Sequence, residues 1–186
     1  MEYFRPKQNK LLSEGELKNN IARAYQTAIK IDNYDNKIVE LRNLRQERIK
    51  GLDKEKEQKY QMLNKEITDS EILVQSIMEY QKVLELLGLP KQKIDELLNH
   101  ENAHANVTEQ VASQTFDGFR VRFHKDINGK VSFTPQAKTT TDLSFPEKQR
   151  LEEDILVTEA PLHYGDKLSA RDKEVIEEAK SRLSKL

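Results

Sequence analysis

Two histidines and a glutamate lie close together in the segment NHENAHAN, residues 99–106. His100 and His104 are four residues apart, a spacing that places two side chains one turn apart on the same face of a helix. Two imidazoles in that arrangement can bind one zinc ion. Glu101 would project to the side of the metal, where it could take a proton from a bound water molecule. The pattern therefore predicts a site for metal-assisted hydrolysis.

The helix face that carries these histidines is apolar. At about 100° per residue, the two histidines share one face with Leu97, Val107 and Val111, so this face is expected to turn inward. Two other interpretations stay open. The histidines could bind a metal without catalysis, or they could be satisfied by carboxylates in a short pattern that also arises by chance.

The letters HENAH match the pattern H-E-x-x-H and resemble the active-site helix of the zincin metallopeptidases. The resemblance covers one helix. It implies one zinc ion per chain on His100 and His104, with Glu101 as the general base in peptide-bond hydrolysis. The additional glycine and histidine of the metzincins are replaced by Val107 and Gln110, and no thermolysin-type E-x-x-x-D follows. The chain is thus similar to an atypical or minimal zincin.

A catalytic zinc ion usually has three protein ligands and one open position, so a third ligand is expected. Glu152 is the first choice, because it falls within the apolar stripe of a helix predicted near residues 145–159, where a carboxylate needs a partner. Such a glutamate on a later helix resembles the gluzincin arrangement. Glu159 and His163 are the alternatives, and Asp142 is a weaker one. Glu152 could instead pair with Lys148 one turn earlier.

The elements that must position these residues are mostly helices. Capping-box patterns begin at Ser13, Thr68 and Ser144, and apolar residues recur at helical spacing over 17–44 and 73–87. A helix from about residue 90 to about residue 113 carries the motif, and a last helix follows Ser169. One β-hairpin is predicted, because apolar and polar residues alternate over 119–123 before an Asn-Gly turn at Gly129.

The predicted fold class is mainly α with a small β-hairpin (α+β). Residues 1–88 are expected to form a helical or coiled-coil arm, and residues 89–186 a zincin-like helix–hairpin–helix–helix domain. Zincins usually place β-strands before the active-site helix, whereas this sequence predicts only helices there. The later hairpin would then bind the substrate by strand addition.

The amino-acid composition limits the kinds of site, partner and cellular location that this protein is expected to have. Charged residues make up 34% of the 186, the formal net charge is −1, and cysteine is absent, which excludes disulfides and thiolate ligands. The near-neutral charge favours neither nucleic acid nor an anionic membrane as a partner. No apolar run resembles a signal peptide or a membrane span. We expect a cytoplasmic protein that acts on a peptide or protein substrate.

A second class of function is a coiled-coil interaction or scaffold protein in which the H-E-x-x-H pattern is incidental or structural. Residues 14–87 would then bind a helical partner or a second copy of the chain. Nucleic-acid binding through Arg42, Arg45, Arg48 and Lys50 is not favoured, because acidic residues are interspersed and no aromatic stacking motif is present.

Overall fold

The computed structural model describes residues 11–48 and 51–186. Residues 1–10 and 49–50, which include the polar N-terminal segment and Lys50, lie outside the described residues. The elements in chain order are α1 (Glu14–Lys30), α2 (Tyr34–Arg48), α3 (Lys54–Asp69), β1 (Glu71–Val74), α4 (Ile77–Leu86), α5 (Lys91–Thr108), β2 (Gln114–Lys125), β3 (Val131–Thr141), α6 (Glu147–His163) and α7 (Ala170–Leu183). The fold is mainly helical with a small antiparallel sheet, so the predicted α+β class is confirmed.

The sheet has the strand order β1-β2-β3. Strands β2 and β3 form the predicted hairpin, and its turn contains Gly129 with φ at +80°. Strand β1 pairs with β2, with Ile72 opposite Val121. A strand therefore precedes the motif helix, and the prediction of helix alone in that region is wrong. The four-residue run EILV is short and mostly buried, and its pairing with β2 decides its conformation.

Several helix boundaries also differ from the prediction. The helical spacing over 17–44, expected to belong to one long helix, is divided between two helices, since α1 ends at Lys30 and Asn33 has a positive φ of 53°. The capping box that opens α4 begins at Ser76 rather than at Thr68. Helix α6 begins after Pro146 without a side-chain cap, rather than at the capping box predicted from Ser144, and β3 extends through polar residues to Thr141. The caps at Ser13 and Ser169 are confirmed.

The main hydrophobic core lies between α1, α4, α5 and one face of the sheet. Tyr80 of α4 is fully buried there and stacks on Phe119 of β2 with ring centroids 4.9 Å apart. Leu17 and Ala24 of α1 belong to the same core as Val121. This core therefore contains residues from both sides of residue 88, where the sequence predicted a boundary between two domains.

Helices α2 and α3 bury a second, smaller core of their own. Its buried members are Ile31, Tyr34, Leu41, Leu44, Leu63 and Ile67. These two helices form a helical hairpin, and the coiled-coil geometry stays a prediction. No helix within residues 11–48 and 51–186 has both the length and the apolar character required to cross a bilayer.

Candidate metal centre

The two histidines of the motif lie on α5 and face each other across one turn of the helix. Their Nε2 atoms are 3.3 Å apart. The carboxylate of Asp172, at the start of α7, lies beside both rings, with Oδ2 at 3.2 Å from His100 Nε2 and Oδ1 at 3.7 Å from His104 Nε2. Ligand atoms of the three residues all lie within 4.8 Å of one another. The structure thus brings the two predicted histidines together with an aspartate.

The second nitrogen of each ring has its own partner, which fixes the ring. His104 Nδ1 donates a hydrogen bond to the backbone oxygen of Val157 at 2.8 Å, and His100 Nδ1 lies 2.9 Å from Asp166 Oδ2. Metal-binding histidines are usually held in this way, with one nitrogen bonded to a carbonyl or carboxylate and the other left for the metal. The donor set and the orientation of both rings therefore fit a zinc ion.

The cap of α7 explains why Asp172 is in place. Ser169 is the N-cap residue: its hydroxyl oxygen accepts from the Asp172 N–H at 3.1 Å, and its own N–H donates to Asp172 Oδ2 at 2.7 Å. This capping box holds the carboxylate at the first turn of the helix, directed toward α5. The sequence carries the signal as S-x-x-D, but that pattern predicts a helix start whether or not a metal is bound.

The residues predicted as third ligand lie elsewhere, and this prediction is corrected. The side chain of Glu152 is 56% exposed and lies 3.9 Å from Lys148, the pairing considered as its alternative. Glu159 pairs with Lys180 at 3.5 Å, and the side chain of His163 is exposed. Asp142 is exposed and accepts from the Ser144 N–H at 2.9 Å. Among the described residues, only His100, His104 and Asp172 form a group with metal-ligand spacing.

The orientation of α6 gives the physical reason for this difference. The helix buries Leu151, Val157, Ala160 and Pro161, whereas Leu156 is 46% exposed. The apolar stripe predicted from the sequence included Leu156 and Glu152. The buried face of α6 lies further around the helix axis, so neither of these two side chains packs against the core. Helix α6 contributes a backbone oxygen to the site rather than a carboxylate.

Glu101 is only 6% exposed and borders the same cleft as the histidines. Its Oε2 accepts a hydrogen bond from the Ala137 N–H of β3 at 2.5 Å. Burial raises the pKa of Glu101 to about 7, although this hydrogen bond and the nearby His100 act in the opposite direction. A carboxyl group with a pKa near neutrality can both accept and release a proton, as a general base must.

The two histidines have opposite electrostatic environments. The hydrogen bond to Asp172 raises the pKa of His100 to about 9, against the effect of burial and with help from Asp166. Burial lowers the pKa of His104. Burial tends to raise the pKa of Asp172, but hydrogen bonds from His100 and Ser169 lower it below its usual value. Without a metal, His100 is therefore an imidazolium between two carboxylates.

A cleft of about 700 Å³ opens at these residues, lined by α5, β3, α6 and the segment leading into α7. Strand β3 is the last strand of the sheet, and the Ala137 N–H points away from β2 toward Glu101. Because backbone groups two residues apart point to the same side of a strand, Thr139 N–H and Pro135 C=O also face the cleft edge. The strand that borders the site thus follows the motif in the chain.

Asp154 on α6 also lines the cleft and is sensitive to pH. Burial raises its pKa to about 6, while its Oδ1 accepts a hydrogen bond from Gln114 Nε2 at 2.6 Å. The pKa of Asp154 is therefore higher in the folded protein than in the unfolded chain, where it is about 4. The contribution of Asp154 to the free energy of unfolding is complete below about pH 4, and it is lost as the pH rises through about 6.

Replacement Asp154→Asn is therefore expected to flatten the dependence of stability on pH between about pH 4 and 6. The measurement is urea unfolding of both proteins across that range. The control is Asp142→Asn, which removes an exposed carboxylate. Identical profiles for Asp154→Asn and the unmodified protein would show that Asp154 is not held in a desolvated environment.

Comparison with known proteins gives no match to a protein-family model, a curated protein or a solved structure. The functional interpretation therefore depends on the geometry of this site and on the H-E-x-x-H resemblance.

Proposed function

We propose that the protein is a zinc-dependent metallopeptidase in which His100, His104 and Asp172 hold the metal and Glu101 is the general base. The observation that carries the proposal is the convergence of two Nε2 atoms and one carboxylate, with the opposite nitrogen of each ring anchored. Three ligands with further room in a cleft are typical of catalytic rather than structural zinc sites.

The residues of the chain then have distinct tasks. Zinc, when bound, supplies a Lewis acid that polarises the substrate carbonyl and lowers the pKa of water. Glu101 takes a proton from the attacking water and passes it to the leaving amine, the two transfers of a general base beside a metal. The Ala137 N–H holds one oxygen of Glu101 in place, so the carboxylate does not have to be ordered during the reaction.

Strand β3 supports a peptide as the substrate. Its outer edge borders the cleft, and an extended peptide can add to such an edge through backbone hydrogen bonds. The scissile bond of a peptide paired with β3 would lie beside Glu101, because Ala137 is already in contact with that side chain. A cytoplasmic location is part of the proposal.

A second candidate is a non-enzymatic protein whose H-E-x-x-H is structural. The position of His100 between Asp166 and Asp172 favours it, since an imidazolium there is fully paired without a metal. In this case helices α2 and α3, with their separate core, would carry the function by binding a helical partner or a second copy.

Replacement Asp172→Asn is expected to lower zinc affinity by about 100-fold or more, because it removes the anionic ligand while keeping the side-chain size. The matched control is Glu152→Gln, which removes the exposed carboxylate that the sequence predicted as the third zinc ligand. We expect it to leave zinc binding unchanged. The measurement is elemental analysis and zinc titration of protein purified without a His tag, with thermal unfolding to confirm that both variants fold.

Two results would contradict the metal assignment. One is zinc well below one ion per chain in the unmodified protein after zinc has been supplied. The other is equal zinc affinity in Asp172→Asn and the unmodified protein. Loss of zinc in Glu152→Gln but not in Asp172→Asn would identify Glu152 of α6 as the third ligand instead of Asp172.

A further inference from the structure

A second cavity, of about 830 Å³, lies on the other side of β3 between α2, the sheet and the ends of α6 and α7. We refer to it as the basic groove. Nine of the described residues that line it are lysine or arginine, and two are acidic. Arg42, Arg45 and Arg48 come from α2, and Arg120, Arg122 and Lys138 from the sheet. A near-neutral chain thus concentrates positive charge in one place.

Internal carboxylates neutralise only part of this charge. Five of the nine cations pair with carboxylates: Arg48 with Glu57, Arg120 and Arg122 with Glu71, Arg171 with Glu174, and Arg182 with Glu147. The side chains of Arg42 and Lys138 have no hydrogen-bond or ion-pair partner within residues 11–48 and 51–186. The groove therefore retains cations that are free to bind an anionic ligand.

The two arginines of β2 lie close together in the wall of the groove. Arg120 is mostly buried beside Arg122, and burial together with that neighbour lowers the pKa of Arg120 to about 10. Both arginines share one carboxylate, Glu71, at 3.5 and 2.6 Å. One carboxylate for two guanidinium groups leaves a net positive charge at this point of the groove, which favours an anionic ligand.

The basic groove adjoins the cleft of the metal centre along β3. Gln136, Thr139, Asp154 and Arg171 line both cavities, and the first two lie on β3. An extended polypeptide that pairs with the outer edge of β3 would therefore run from Glu101 along the β3 residues that also line the groove. Strand β3 would then hold the bond to be cleaved beside Glu101 and the neighbouring substrate side chains beside the groove.

We propose that the basic groove binds acidic side chains of the polypeptide substrate, so that the protein acts on chains with an Asp- or Glu-rich segment next to the cleaved bond. This inference rests on the proposed peptidase function. Positively charged walls around one end of a cleft select for acidic partners and accelerate their association.

A single-stranded nucleic acid fits the groove less well. Proteins that bind single strands stack the bases on exposed aromatic rings. Tyr60 is the one aromatic residue among the described residues that line the groove, and the guanidinium of Arg48 already covers it at 4.6 Å from the ring centroid. A nucleic acid also lacks the alternating donors and acceptors that pair with the edge of β3.

The test measures binding separately from cleavage. Fluorescence anisotropy would follow a labelled Glu-rich 12-residue peptide, the same peptide with Gln for Glu, and a single-stranded DNA of matched charge. The protein carries Glu101→Gln so that no peptide is cleaved. The double replacement Arg42→Gln and Lys138→Gln removes two unpaired cations of the groove. The control Arg23→Gln and Lys30→Gln removes the same charge from exposed positions on α1.

We expect the Glu-rich peptide to bind about tenfold more tightly than the Gln peptide, and the groove variant to lose about tenfold in affinity for it. The control variant is expected to change affinity by less than about twofold. Both effects should weaken as salt rises. Equal binding of the two peptides would overturn the inference, as would an equal loss in the control variant. Tighter, groove-dependent binding of the DNA would also overturn it.

Hydrolysis by the zinc-loaded unmodified protein separates the two proposals. Faster cleavage of the Glu-rich peptide than of the Gln peptide supports both. Equal cleavage of the two peptides overturns the inference and leaves the peptidase function standing. Groove-dependent binding without any hydrolysis contradicts the peptidase function and supports the groove as a binding site for acidic polypeptides.

Discussion

Replacement Glu101→Gln is expected to reduce peptide hydrolysis about 10³-fold while one zinc ion per chain remains bound. The amide cannot accept the proton of the attacking water, but it has the same shape and its oxygen can still accept from the Ala137 N–H. Because burial disfavours the charged form of Glu101, the neutral amide is expected to leave stability at pH 8 unchanged or higher. The measurements are turnover of a fluorogenic peptide, zinc content and thermal unfolding.

The matched control is Glu109→Gln at the C-terminal end of the same helix, where the side chain is exposed. It removes the same charge from α5 without approaching the cleft, so turnover should stay within about twofold of the unmodified protein. Full turnover in Glu101→Gln would contradict the role of Glu101 as general base. Loss of zinc in that variant would instead indicate that Glu101 supports the metal site rather than the proton transfer.

The largest expected effect on folding comes from Gly118→Ala. Gly118 has φ at +127°, a conformation that L side chains rarely adopt, and a Cβ there would lie 2.5 Å from the backbone oxygen of Val74. Accommodating the methyl group requires β1 and β2 to separate next to the Val74–Phe119 pair. We expect the free energy of unfolding to fall by about 3 kcal/mol or more, because strain and a backbone clash act together.

Gly129→Ala is the control that separates these two causes. Gly129 also has a positive φ, at +80°, but an added Cβ would meet nothing within 4 Å. Its expected loss is about 1 kcal/mol, from backbone conformation alone. The measurement is urea unfolding of both variants by circular dichroism. Equal losses in the two variants would show that the contact between Gly118 and Val74 is not tight.

Local sequence patterns predicted the parts of the fold that local interactions determine. The hairpin followed from alternation before the Asn-Gly turn at Gly129, and the caps at Ser13 and Ser169 followed from their own side chains. Strand β1 was missed because a four-residue apolar run fits a helix or a strand equally well. Its partner is about 50 positions later in the chain, and only the folded sheet reveals that pairing.

The residues of the candidate site also fall into those that local spacing predicts and those that only tertiary packing reveals. The spacing of His100 and His104 is local, and the structure places both rings as expected. Asp172 could not be distinguished by spacing, because an aspartate three residues after Ser169 is already explained as a helix cap. Glu152 was preferred because the apolar residues of α6 allow two stripes, and only packing decides which of them is buried.

The basic groove could not be predicted from the sequence at all. The sequence shows Arg42, Arg45 and Arg48 among acidic residues, which argued against a nucleic-acid site. The fold brings them beside Arg120 and Lys138, which lie 72 to 96 residues further along the chain. Charge concentration of this kind depends on tertiary structure, so a near-neutral total charge does not exclude it.

The separate core of α2 and α3 has a consequence for how the molecule opens. A unit with its own buried residues can unfold locally while the remaining structure stays intact. Since Arg42 and Arg45 lie on α2, such an opening would remove one wall of the groove and leave His100 and His104 undisturbed. The local stability of this helical hairpin would then set how often the protein is ready to receive an acidic chain.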